Sequence, residues 1–255
     1  MTPRILSIAG SDSGGSAGIQ ADIKTATAFE VYSATAITAL TAQNTLGVTD
    51  IHPVPPRHVA AQIEAVLSDI GADAIKIGML ANADIADVVA RCLEAFTGPI
   101  ILDPVMVATS GDRLLAEDAI EVIRSTLCPM AAVITPNLPE MDVLSANPGQ
   151  DLLVAAMALS EQSGAAVLLK GGHGEGEQLE DTLMTNQGTK TFTAKRLISN
   201  QTHGTGCTLS TAIACGLAYE KSLEIAVEDG LKFVRRGIET APGLGDGHGP
   251  LNFFK

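Results

Sequence analysis

Residues 4–29 read RILSIAGSDSGGSAGIQADIKTATAF, and this stretch decides the fold. Arg4 to Ala9 is a short apolar run that ends in Gly10-Ser11-Asp12-Ser13-Gly14-Gly15. From near Gly18 onward, Ile19, Ile23, Ala26 and Phe29 recur at helical spacing. Strand, glycine-rich loop, helix is the opening of a βα unit, with the loop at the carboxyl end of the strand. Open α/β sheets bind their ligands at that end. The loop has neither the GK[ST] of a P-loop nor a strict GxGxxG, so a nucleotide reading of this loop alone is weak.

The unit recurs along the chain. Ser33 to Leu40, Ala74 to Ile77, Ile100 to Leu102, Ala131 to Ile134 and Ala166 to Leu169 read as buried strands. Helices are predicted over 58–70, from the Asn82 cap to Phe96, over 117–127, from Asp151 to Ser163, and from Leu223 to about Thr240. Pro53, Pro55 and Pro56 punctuate what reads as a plain connection. Asp181 to Thr185 and Lys190 to Thr193 flank Asn186-Gln187-Gly188 as an antiparallel hairpin at the sheet edge. Strands alternating with helices mean an α/β fold, a mainly parallel central sheet with helices on both faces. No linker or internal repeat divides the chain, so residues 1–255 are expected to form a single domain.

Composition excludes several classes. The net charge is −13, which disfavours nucleic acid as a partner, because phosphate backbones demand basic clusters. No apolar run reaches the ~20 residues of a membrane helix, and the first apolar run is too short for a signal segment. Cys92, Cys128, Cys207 and Cys215 have no paired spacing and read as reduced thiols of a cytoplasmic protein. His52, His58, His173, His203 and His248 lack zinc-ligand spacing.

Chemistry concentrates in Thr202-His203-Gly204-Thr205-Gly206-Cys207-Thr208, which runs straight into an Ala-rich helix. Unpaired amides of Gly204 to Cys207 at a helix N-terminus favour an anion, and a thiol placed there is biased towards thiolate. The bland alternative is a glycine turn capping a core helix, with Cys207 as filler. Against it stands the placement of Asp12, Gln43, Asp103, Asn137, Glu140 and Lys170. Each follows an apolar strand closely, so all six are predicted to meet at one sheet edge. Asp103, Asn137 and Glu140 offer hard oxygen ligands of the kind Mg²⁺ takes beside phosphates, and Lys170 offers a point charge for a phosphate. His203 is expected to orient the anion loop, and Cys215 to fill the core.

The chain resembles the hydroxymethylpyrimidine/phosphomethylpyrimidine kinases of thiamine biosynthesis, within the ribokinase-like superfamily. The matching strings are AGSDSGGSAGIQADIKT (9–25), TALTAQNTLGV (38–48), KIGML (76–80), LDPVM (102–106), ITPNLPE (134–140), LLKGGH (168–173), THGTGCT (202–208) and GHGPLN (247–252). The resemblance implies a ribokinase-like fold, a homodimer, and ATP with Mg²⁺. It implies that Gly204, Thr205 and Gly206 form the anion hole, with Cys207 standing where most of the superfamily carries an aspartate base. Asn137 and Glu140 match an NxxE element that arranges Mg²⁺, with Asp103 nearby, and Lys170 matches a nucleotide-phosphate lysine. Gly10, Asp22, Gln43, Met79 and Val105 match positions lining a pyrimidine pocket. Ser16, Gln201 and Asp246 depart from the usual residues without removing a group the reaction needs. Pyridoxal kinase shares the scaffold and is the nearest alternative; a non-catalytic pyrimidine or nucleotide sensor is another.

Overall fold

The computed structural model describes residues 2–106, 116–145, 147, 149–173 and 176–254. Among the described residues nine strands form one sheet: β1 (Arg4–Asp12), β2 (Tyr32–Gln43), β3 (Val48–Pro53), β4 (Ala74–Ile77), β5 (Ile100–Leu102), β6 (Val133–Ile134), β7 (Ala166–Leu169), β8 (Gln178–Thr185) and β9 (Gly188–Lys195). Their spatial order is β3-β2-β1-β4-β5-β6-β7-β8-β9. The six from β2 to β7 in that order pair in parallel. Antiparallel strands close both edges: β8 and β9 on one side, as the turn chemistry predicts, and β3 on the other.

Strand β3 corrects the sequence reading. Its residues Val-Thr-Asp-Ile-His-Pro carry little apolar signal because they pair at an edge, mostly exposed, and Pro53 is tolerated there at the strand end. Strand β2 also runs longer than its apolar run, out to Gln43, because pairing continues with β1 to Thr41 and with β3 to Gln43.

Helices cover both faces. One face carries α2 (Pro56–Leu67), α3 (Ala83–Leu93), α4 (Glu117–Val122), α5 (Cys128–Met130), α6 (Leu138–Leu144) and α7 (Leu152–Ser163); the segment Ile123–Leu127 joins α4 to α5 as a π-helical turn. The other face carries α1 (Gly18–Ala28), α8 (Thr205–Ala218) and α9 (Leu223–Glu239). Asn82 caps α3 by accepting the Ile85 N–H, and Asp151 caps α7. Helix α8 lies against the sheet and is itself covered by α9, so it is buried nearly all round. That position explains its Ala-rich sequence: a Cβ on Gly216 would come within 2.6 Å of Ala226, so the two helices meet almost backbone to backbone. Cys215 is fully buried in this layer, as expected of core filler. Among the described residues, no helix is long and apolar enough to cross a membrane.

Candidate active site

The predicted strand exits do converge. Asp12 and Gln43 are the last residues of β1 and β2, and Asp103 and Lys170 follow β5 and β7 directly. A further bridge pairs Asn137 with Lys170 beyond the strands. All six line one cavity of about 860 Å³, together with Gly10, Met79, Val105 and Gly204 to Cys207. The cavity continues from this polar end along Leu179, Phe192, Leu231, Val234 and Ile238, an apolar wall that the strand-exit argument did not anticipate.

The anion loop sits where α8 begins. Gly204 adopts φ +82°, and a Cβ on it would lie 1.8 Å from the Ser16 carbonyl oxygen. Only glycine lets this loop pack onto the first loop. The Thr208 N–H bonds back to Gly204, and the Gly206 and Cys207 N–H groups meet no acceptor among the described residues. Two unpaired donors at the start of a 14-residue helix make a preformed anion site.

Beside it stand Asp103 and Lys170. The Lys170 Nζ donates to Asp103 Oδ1 at 2.9 Å and lies 3.9 Å from Glu140 Oε2. A Cβ on Gly206 would be 3.3 Å from that Nζ, so the ammonium and the free amides share one patch of wall. Thr135 and Ser210 donate to the two Asp103 oxygens. Burial pushes the Asp103 carboxyl up, but the Lys170 and Lys76 charges and the hydrogen bonds from Lys170 and Thr135 outweigh it and hold it below its usual range.

Asn137 and Glu140 form a reciprocal cap on α6. The Asn137 side-chain oxygen accepts the Glu140 N–H, and the Glu140 carboxylate accepts the Asn137 N–H, both at 2.8 Å. The cap uses one lone pair of the Asn137 oxygen, so Asn137 lines the cavity with a remaining lone pair and an amide donor. Burial drives the Glu140 carboxyl up to about 7; Lys170 opposes this and the Asp103 charge adds to it. Such excess negative charge suits a cation. No three His, Cys, Asp or Glu side chains among the described residues converge to cage one. The donor set therefore fits Mg²⁺ that keeps its waters and shares its sites with phosphates.

Two expectations need correction. Cys207 is not biased towards thiolate. Burial, with Asp22 and Asp103 adding to it, pushes its thiol up to about 11, against a lowering pull from Lys76 and the Gly18 N–H. Desolvation outweighs the helix terminus. Asp22 does not line the cavity either. It shares the sheet-facing side of α1 with Ile19 and Ala26, fully buried, and pairs with Lys76 at 2.9 Å. Ser7 and Thr211 donate to the same carboxylate. This pair lies behind the pocket wall, with the Lys76 charge in reach of Cys207. Sequence reasoning passed over Lys76, although a lysine inside the apolar strand Ala-Ile-Lys-Ile was a visible sign of a buried charge.

His203 does tie the loops together. It is buried, its N–H donates to Gly249, and its Nε2 lies 2.9 Å from the Gln43 amide and 3.4 Å from Asp12 Oδ2. Asp12 in turn accepts N–H bonds from Gly14, Ser16 and Ala17.

With this geometry in view, residues 12–252 match the family described as phosphomethylpyrimidine kinase. The chain belongs to that family. It is 43% identical over 256 residues to the hydroxymethylpyrimidine/phosphomethylpyrimidine kinase of Escherichia coli K12, covering 98% of this chain and 96% of that one. It is 42% identical to the thiamine biosynthesis bifunctional protein of Geobacter sulfurreducens, over 97% of this chain and 51% of that longer protein. Among solved structures it resembles the pyridoxal kinase of Staphylococcus aureus in complex with AMP-PCP and pyridoxal. The TM-score there is 0.89 at 31% identity, over 99% of this chain and 94% of that one. The backbone fits both kinds of kinase, while the sequence lies nearer the pyrimidine kinases. The ribokinase-like α/β fold predicted from sequence is the fold observed.

Proposed function

We propose that the chain transfers the γ-phosphoryl group of ATP to the 5-hydroxymethyl group of 4-amino-5-hydroxymethyl-2-methylpyrimidine. A second ATP then phosphorylates the monophosphate to the diphosphate, in thiamine biosynthesis. The observation that carries this reading is one cavity with unpaired amides, Lys170 and Cys207 at its centre and the Gln43 amide at its substrate end.

Phosphoryl transfer depends on positioning and charge stabilisation. The N–H groups of Gly206 and Cys207, with Gly204 and Thr205 shaping the loop, hold the oxygens of the group in transit. Lys170 can swing from Asp103 to a phosphate without a longer reach than its own ion pair. Asn137 donates to phosphate and keeps Glu140 in place; Glu140 and Asp103 would hold the waters of Mg²⁺, which would neutralise phosphate charge when bound. Gly10, Met79 and Val105 flank the ring, and Gln43 pairs with its amino group and neighbouring nitrogen, as glutamine does with adenine.

The alcohol of the first step must lose a proton, and Cys207 is the base. A thiol near 11 is protonated at neutral pH, so the base works from a small thiolate fraction. The phosphate of the second step is already anionic and needs no base. The chain acts as a homodimer; the open edge at β3, with Leu40 and Leu46 exposed beside it, is a face for such contact.

Incubating the protein with the pyrimidine alcohol, Mg²⁺ and ATP should give monophosphate and then diphosphate, counted by chromatography. The likeness to a pyridoxal-bound kinase favours one second reading, so pyridoxal belongs in the same assay. Turnover of pyridoxal alone would replace the pyrimidine assignment.

A further inference from the structure

The glycine-rich segment 243–250 lines no part of the cavity, yet it touches the loops at both ends of the reacting site. On one side it meets the turn that follows Gln43. The His248 N–H donates to the Thr45 carbonyl at 2.8 Å, and the Gly247 N–H reaches the Thr45 hydroxyl at 3.4 Å. On the other side it meets the approach to the anion loop. The Gly249 N–H donates to the Asn200 carbonyl and the Gly249 carbonyl accepts the His203 N–H, both at 3.1 Å. The Asn200 side chain donates to the Gly247 carbonyl at 3.3 Å, and a bridge pairs His203 with Pro250. His203 Nε2 in turn lies 2.9 Å from the Gln43 amide, so the two loops touch at the point this segment encloses.

The packing leaves no room for a side chain. A Cβ on Gly247 would lie 2.0 Å from the Thr45 carbonyl oxygen, and one on Gly249 would lie 2.0 Å from Gln201 Oε1. The first obstacle is backbone and cannot step aside; the second is the end of a flexible side chain. Past Pro250 the segment is anchored, because Leu251 is buried and the Asn252 N–H donates to the Gly237 carbonyl of α9 at 3.0 Å. The turn it holds buries little of itself: Asn44 and Leu46 are exposed, as is most of β3 beyond them. Ser13 fastens the Gln43 backbone to the first loop, accepting its N–H and donating to its carbonyl, both at 2.8 Å. Residues 247–249 fasten the far end of the turn to the His203 side. The anion loop has its own support, since Gly204 packs onto Ser16. What segment 247–250 governs is therefore the separation of the Gln43 edge from that loop.

We propose that Gly247 and Gly249 are positioning residues of a strap, residues 247–250, which holds the Gln43 edge of the cavity at a fixed distance from the anion loop. The substrate ring rests on the first and the phosphoryl group on the second, so the strap sets how the attacking oxygen lines up with phosphorus. The inference rests on the kinase reading above. Neither glycine touches a reactant, and both act through Thr45, Asn200 and His203.

The test follows kcat/KM for the pyrimidine alcohol alongside the affinity for AMP-PCP, read by titration calorimetry. Gly247→Ala should lower kcat/KM by roughly 10²-fold, the cost of a reactant displaced by about 1 Å, and leave the AMP-PCP affinity unchanged. Gly249→Ala should lower it much less, because the Gln201 amide can turn away, and adding Gln201→Ala should recover the remainder. Asn200→Ala removes one bond to the strap without crowding anything. It should lower kcat/KM in the same selective way, and it serves where Gly247→Ala does not fold. A kcat/KM unchanged in Gly247→Ala, or an AMP-PCP affinity lost in the same proportion, overturns the proposal.

Hydrogen exchange provides a readout that needs no substrate. In Gly247→Ala and in Asn200→Ala, residues 43–47 and 200–204 should exchange faster together, while α3 keeps its protection. Faster exchange in only one of the two loops, or equally in α3, removes the strap. Should the protein phosphorylate no pyrimidine, the functional reading fails while exchange still decides whether the strap couples the two loops.

Discussion

Two lysine–aspartate pairs stand on either side of the Cys207 thiol, with the same chemistry and the same 2.9 Å separation. Lys76 and Asp22 are wholly sealed beneath α1 and α8, and among the described residues the Asp22 carboxylate bonds to Lys76, Ser7 and Thr211. Lys170 and Asp103 sit at the cavity wall, and the lysine keeps 14% of its side chain exposed. The sealed pair has no route by which a ligand could compete for its charge. The open pair has one: a phosphate arriving at Gly206 meets an ammonium that can change partners. A shared distance therefore says little about role. Access to the cavity separates a structural charge from one that can meet substrate.

The comparison can be broken most strongly at the thiol between the pairs. Cys207→Ala should slow the first phosphorylation by roughly 10²–10⁴ and the second far less, read by following the two products separately. With the thiol near 11, the first step should also rise about tenfold per pH unit above neutrality, while the second stays flat. Equal rates to the unsubstituted enzyme in both steps would remove Cys207 from the mechanism.

Next in size is Lys76→Met, which strands Asp22 in the interior. Removing one partner of a buried pair costs about 3–5 kcal/mol, measurable by urea unfolding. Adding Asp22→Asn should recover part of the loss, because the remaining group is then neutral. A Lys76→Met protein as stable as the original would show that the sealed pair is not the structural one.

Lys170→Met should invert that balance. Loss of a preorganised cation beside a transferring phosphoryl group costs about 10²–10³ in kcat. Stability should fall less than in Lys76→Met, since Asp103 keeps Thr135, Ser210 and the nearby Lys76 charge. A larger stability loss than Lys76→Met, with turnover intact, would reverse the two roles.

The smallest effect concerns Glu140. Its carboxyl holds a proton up to about pH 7 in the folded chain, whereas an unfolded glutamate releases it near its ordinary value of about 4.3. Between those values the folded state binds more protons, so stability falls as pH rises through the window, by at most about 1.4 kcal/mol per unit. Glu140→Gln should flatten that part of the stability profile. Bound Mg²⁺ should pull the Glu140 carboxyl back down and shift the window to lower pH.

Most of the fold is visible along the chain because its strands are short, apolar and separated by helical periods. Residues at strand exits must share an edge in any parallel sheet, which is why Asp12, Gln43, Asp103 and Lys170 could be grouped before any coordinates. Strand β3 escaped because an edge strand buries little and leaves no apolar pattern. Asp22 was misplaced because motif similarity marks a residue as needed without saying which way its helix turns it. Cys207 was misjudged for a related reason: a helix terminus is a local feature, but the desolvation opposing it comes from α1, β4 and β5 at once.

By itself the sequence determined the layered fold, the anion loop at a helix start, the family, and the set of polar groups gathered at one edge. These follow from local periodicity, glycine placement and residue order. Tertiary structure alone decided which lysine is sealed and which is open, and where the Cys207 proton resides. Those properties depend on distances of a few ångströms between strands and helices remote in sequence, and on how much water each group keeps.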